Sequence, residues 1–233
     1  MRNQITGGAL REERLINSIH NIAYSFKDDP SYMDDVVFYW SRKPIHPRIS
    51  ESINRETGTP RTTIMTQLNE PFEIGDMFEL DDGSIWIVIY RERRQTHYEG
   101  LLERCNYMLN FGLDEDGNVI KYPVILQNAT QYNSGITDSD YVTYGSAQYV
   151  VYVCIDDYTL SIDKQYRFLV DYNTKNPTAY KVTQVDTTTW VIDGKGRIRY
   201  TLAEDELRDT DNIDLMVADS STTKDKGTEG GWF

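Results

Sequence analysis

Three histidines, two cysteines and 37 acidic residues are the side chains with which this chain could do chemistry. His20, His46 and His97 lie far apart and form neither HxH nor HExxH, so a zinc site would need long-range convergence. Asp114-Glu115-Asp116-Gly117 opens like a calcium loop, yet Ile120 to Pro123 stand where the later oxygen ligands and the closing glutamate belong. That stretch reads as a hairpin turn. No GxSxG, P-loop or GxGxxG sequence occurs. Carboxylate pairs suited to glycoside hydrolysis form in space, and so many acids offer so many pairs that none is singled out. Cys105 and Cys154 lack CxxC spacing and read as small buried hydrophobes in a reducing compartment. No catalytic residue, metal site or cofactor is expected.

Charge is the more informative property. A net charge of −13 argues against a protein that grips nucleic acid over its whole surface. Against that background residues 41–61, SRKPIHPRISESINRETGTPR, form a basic island. Arg42, Lys43, Arg48, Arg55 and Arg61, with His46 among them, face only Glu51 and Glu56. Three prolines and no clean period predict an extended loop there, and loops of that length inside a compact domain are usually functional. Docking on an acidic neighbour is the role expected of it.

The elements that must carry this loop follow from periodicity. Leu15, Ile19, Ile22 and Phe26 mark one apolar stripe of an amphipathic helix, which Asp29-Pro30 closes. Strand chemistry begins at Ser31–Trp40 and continues through Thr62–Leu68, Met77–Leu80, Ile85–Tyr90, Leu101–Phe111 and Val119–Leu126. Asp82-Gly83 and Asp193-Gly194 supply the positive φ that tight hairpins need. Residues 129–140 are polar and turn-rich, and strands resume after them until about residue 217. No apolar run of about 18 residues exists to span a membrane, and the opening residues lack the apolar core of a signal peptide. A cytosolic place of synthesis is expected.

The two halves repeat a plan. Ile74, Phe78 and Leu80 match Ile162, Tyr166 and Phe168; Trp86 and Val88 match Tyr180 and Val182; Leu101 and Leu102 match Ile198 and Tyr200. The expected fold is mainly β: two tandem small sandwich or barrel modules with a short N-terminal helix and an extended loop. The divisions expected are an arm and helix (1–30), a first module (31–128), a second module (129–219) and a tail (220–233). The tail has linker composition but carries Trp232 and Phe233.

Arg11-Glu12, Asp29-Pro30-Ser31-Tyr32, Gly75-Asp76, Trp86, Arg104-Cys105-Asn106-Tyr107-Met108-Leu109, Tyr180-Lys181-Val182-Thr183 and Asp211-Asn212-Ile213 occur in that order. In this order the chain resembles the head–tail connector proteins of tailed bacteriophages, over about residues 9 to 219. The resemblance implies a non-enzymatic virion protein of the neck, a stopper or adaptor assembled in a closed ring of about six or twelve copies. It implies portal or adaptor and tail proteins as partners, and transient contact with packaged DNA. An acidic channel repels the DNA backbone while scattered cations hold it weakly. On this reading Arg42, Lys43, His46, Arg48, Arg55 and Arg61 line the channel or dock on a neighbour. Leu15, Ile19, Trp232 and Phe233 anchor one subunit in the next. A tail-terminator or baseplate protein is the alternative, and a carbohydrate-binding β module is a more distant one.

Overall fold

The computed structural model describes residues 7–53, 60–128, 148–171 and 175–219. The chain forms two compact units, Met1–Cys105 with Val191–Arg197, and Asn106–Trp190 with Ile198–Phe233.

In the first unit helix α1 (Gly7–Ser25) precedes seven strands. These are β1 (Val36–Phe38), β2 (Pro44–Ile45), β3 (Arg48–Ile53), β4 (Pro60–Gln67), β5 (Met77–Glu79), β6 (Ile85–Arg93) and β7 (His97–Arg104). They form one antiparallel sheet in the order β2-β1-β5-β6-β7-β4-β3. The outermost strands of that order, β2 and β3, are consecutive in the chain and joined only by His46-Pro47. The sheet must therefore curl until its ends come near each other, in a barrel-like form. Residues 31–33 bind the crossover, through Met33 N–H to Pro47 O (2.9 Å) and Ile49 N–H to Ser31 O (2.8 Å). Val36, Ile45, Ile64, Phe72, Phe78, Val88 and Leu102 fill the interior. Each contributes about 1.5–3 kcal/mol through burial.

The second unit holds β8 (Tyr107–Leu113), β9 (Val119–Asn128), β10 (Gln148–Cys154), the single-turn α2 (Asp157–Leu160), β11 (Arg167–Val170) and β12 (Thr178–Asp186). The chain then makes β13 (Val191–Ile192) and β14 (Lys195–Asp205), and the sheet order is β11-β12-β14-β10-β9-β8. Its two outer strands also approach each other. The Phe111 and Phe168 rings lie 5.0 Å apart, the Tyr166 hydroxyl donates to Phe111 O, and the Tyr107 hydroxyl donates to Asp171 O at 3.1 Å. Two tyrosine hydroxyls inside this unit find partners. Asp156 caps α2 and accepts from the Tyr122 hydroxyl (2.7 Å), and the Tyr200 hydroxyl donates to Thr159 O (2.5 Å).

Mainly β architecture with two curled modules is thus what the chain adopts, with three differences of detail. Residues 41–61 are not an extended loop: they hold β2, β3 and the start of β4, with 54–59 outside the described residues. Prolines 44, 47 and 60 sit at strand ends or in the crossover, where a missing N–H costs nothing. The single strand expected over Leu101–Phe111 is two, β7 and β8, broken at Cys105-Asn106. That break is also the boundary between the units, which lies there and not at residue 128, because β8 and β9 pair within the second sheet.

Candidate functional site

The residues singled out for contact with neighbours, where described, all belong to the first unit. The β1–β2 turn is closed by Phe38 N–H to Lys43 O and Arg42 N–H to Phe38 O, both 2.9 Å, with Arg42 at φ +55°. The Arg42 guanidinium reaches the Glu79 carboxylate across the sheet, and Lys43 is exposed. His46 is held twice by Glu70, whose carboxylate accepts from its backbone N–H (3.2 Å) and meets its Nδ1 (2.7 Å). The Arg48 guanidinium pairs with Asp29 and lies 5.6 Å above the Phe26 ring. The Ser31 hydroxyl and backbone N–H both donate to Asp29, and with Arg48 behind them they hold its carboxyl below the usual range.

Arg61 is exposed on β4, opposite Ser52. Arg55, Trp232 and Phe233 lie outside the described residues. The basic island is therefore largely stitched into its own unit: Arg42, His46 and Arg48 each meet a carboxylate of the same unit. Lys43 and Arg61 present their charge outward. Pairs this exposed contribute little and are screened by salt.

Helix α1 is different. Phe26, the last residue of its stripe, is fully buried just past the helix end, while Leu15 and Ile19 are half-buried. Leu10 and Ile16 are 42% and 55% exposed. An open groove of about 710 Å³ runs beside the helix, lined by Leu10, Arg11, Arg14 and Leu15 and, from the β6–β7 turn, Gln95 and Thr96. Leu10 and Ile16 thus leave apolar surface along this 19-residue helix without the stabilisation that burial would bring.

Sequence reasoning missed two features of this unit. The groove's second wall lies some eighty positions from α1, and nothing local connects them. Residues 191–197 also belong to this unit, though the repeat assigned them to the other half. Arg197 Nη1 lies 2.8 Å from Glu103, Lys195 3.9 Å from Glu73, and the Gly196 backbone rests against Gly75. The Asp193-Gly194 turn was legible, with φ +52° and +75°, but its destination was not.

Chemistry elsewhere is spare. Among the described residues no cluster of three or more His, Cys, Asp or Glu side chains is placed to hold a metal ion. No helix among them is long and apolar enough to cross a membrane. Burial pushes the Asp76 carboxyl up, opposed by the Glu73 N–H that donates to it at 2.7 Å. Burial likewise pushes His97 down. The His97 ring meets the Thr96 hydroxyl at 2.9 Å. No protein-family model matches the sequence, and neither a curated protein nor a solved structure matches it.

Proposed function

We propose that this chain is a non-enzymatic structural protein of the tailed-phage neck, assembling into a closed ring that joins portal to tail and lines or closes the DNA channel. One observation carries the assembly part of that reading: Leu10 and Leu15 of α1 line an open groove, and along the helix Leu10 and Ile16 are exposed while Leu15 and Ile19 are half-buried. Such a surface is stable when a neighbour covers it. The ordered motifs by which the chain resembles connector proteins support the phage setting, and the net charge of −13 suits a channel that lets DNA slide. The outward charges of Lys43 and Arg61 then serve as weak, salt-sensitive contacts with DNA or with an acidic neighbour.

Particles made by the genome that encodes this chain, labelled with an antibody against it, should carry label at the head–tail junction. Label at the tail tip favours a baseplate role, and particles without the chain sink the reading. In light scattering at micromolar concentration the purified protein should be oligomeric. Leu15→Glu with Ile19→Glu should make it monomeric with an unchanged far-ultraviolet circular dichroism spectrum.

A further inference from the structure

We infer that the groove between α1 and the β6–β7 turn receives Trp232 and Phe233 of a second copy of this chain. The inference rests on the ring reading above and gives that ring a specific joint. The groove, at about 710 Å³, is within the range of pockets that enclose a small ligand, roughly 300–1,000 Å³. Leu10 and Leu15 give it an apolar floor. Arg11 and Arg14, three residues apart, stand on one side of the helix at its rim. Guanidinium groups lie favourably over aromatic faces, tryptophan best of all. Gln95 and Thr96 on the opposite wall offer an amide and a hydroxyl to an indole N–H or to peptide groups. Glu12 and Ser18 complete the lining; the carboxylate beside the two arginines disfavours an acidic ligand, and two leucines with two guanidiniums fit an aromatic pair better than an aliphatic one.

The chain supplies such a pair. Residues 220–233 lie outside the described structure, and in them Trp232-Phe233 follow twelve Ser, Thr, Gly, Lys, Asp and Glu residues. Fully extended, such a segment reaches about 45 Å. The groove is on α1 and the aromatic pair lies beyond β14, so the contact between copies is head-to-tail. A joint of that kind propagates around a ring until it closes.

The test uses two full-length proteins, one with Thr96→Cys and the other with Gly231→Cys, which leaves the aromatic pair intact, mixed at assembly concentration and mildly oxidised. Peptide mass spectrometry should find a disulfide joining position 96 of one chain to position 231 of the other. Independently, Trp232→Ala with Phe233→Ala, and Leu10→Glu with Leu15→Glu, should each weaken assembly about tenfold or more. Circular dichroism checks that the fold is retained. The four changes combined should do little more than either pair, because both remove one contact. Two results overturn the inference: a link that forms only within a single doubly substituted chain, or normal assembly without the aromatic pair. Either would leave the neck reading standing, since that depends on where the protein sits in the particle.

Discussion

In the first unit Gly75, at φ +89°, donates its N–H to Val88 O, and Val88 returns the bond to Asp76 O, both at 2.9 Å. In the second, Gln165, at φ +77°, donates to Val182 O and Val182 returns the bond to Tyr166 O, both at 2.8 Å. Trp86 faces Phe78, and Tyr180 faces Phe168. Just past Val88 the β6–β7 register slips by one residue, and just past Val182 the β12–β14 register does the same. Each unit therefore contains one meander with one turn and one bulge in the same places. The contents differ. Phe72 fills the space beside Gly100 in the first, while Ile162 and Tyr200 stand at the equivalent positions in the second, so the ring has moved to another strand. Met77 is replaced by Arg167, each 2% exposed. The comparison teaches that turn and bulge fix the backbone, and that the interior needs only to fill the same volume by other means.

Arg167 is where the comparison breaks most sharply. Its guanidinium binds Asp205 (2.7 Å), both oxygens of Asp211 (2.7 and 3.1 Å) and the carbonyls of Glu206 (2.5 Å) and Asp219 (3.1 Å). It thereby clamps the chain that follows β14. Arg167→Met installs the residue that the first unit uses, yet it leaves the Asp205 and Asp211 charges without their cation. Urea denaturation should show a loss of about 3–5 kcal/mol. Met77→Leu, which conserves volume, should cost less than about 1.5 kcal/mol. Acid should imitate the larger loss. Burial pushes the Asp205 and Asp211 carboxyls up, but the Arg167 hydrogen bonds outweigh it and leave both below the ordinary value. Their contribution is complete above the unfolded value near 3.9 and is lost as pH falls through the lower folded values. Arg167→Met should remove this acid-dependent loss, and an unaltered stability profile below pH ~4 would contradict the assignment.

Gly75 is the next point of divergence. A Cβ there would lie 2.2 Å from Gly196 O, so the approach of residues 191–197 to the first unit requires glycine. Gly75→Ala should cost about 1–3 kcal/mol from strain and displacement together. Amide hydrogen exchange should rise specifically over residues 191–197. Exchange unchanged there would mean that the hairpin is held by Arg197–Glu103 and Lys195–Glu73 without the backbone contact.

Much of this was legible before any coordinates. The mainly β class, the α1 stripe, both Asp-Gly turns and the pairing of Trp86 and Val88 with Tyr180 and Val182 follow from local residue choice. The repeat's outer strands were misaligned. Ile74, Phe78 and Leu80 were set against Ile162, Tyr166 and Phe168, whereas the hydrogen bonds align Phe72, Asp76 and Phe78 with them. Leu101 and Leu102 align with Thr201 and Leu202, not with Ile198 and Tyr200. A strand pattern of period two looks the same when slid by two residues, which is the slip at every one of these positions except Leu101, where the bulge makes it three. The candidate site was less legible still. The basic island announced itself by composition, but its carboxylate partners Glu79, Glu70 and Asp29 are brought to it by the curled sheet. The groove beside α1 exists only because a distant turn arrives there.

The smallest effect isolates the reason the two meanders diverged. Gln165 holds a left-handed conformation that costs a side-chain-bearing residue roughly 1–2 kcal/mol. Gln165→Gly relieves that cost but adds about 0.5–1 kcal/mol of unfolded-chain entropy. The net gain in stability should therefore be about 0.5 kcal/mol, a small upward shift of the urea midpoint. Gln165→Ala restores the strain without the longer side chain and completes a glycine–alanine pair at this position. Gly75 and Gly75→Ala form the same pair at nearly the same φ. Strain and unfolded-state entropy enter both pairs alike, so the difference between the two exchanges measures the contact with Gly196. Equal exchange energies would mean that Gly75 is glycine for its turn alone, and that residues 191–197 reach the first unit without depending on it.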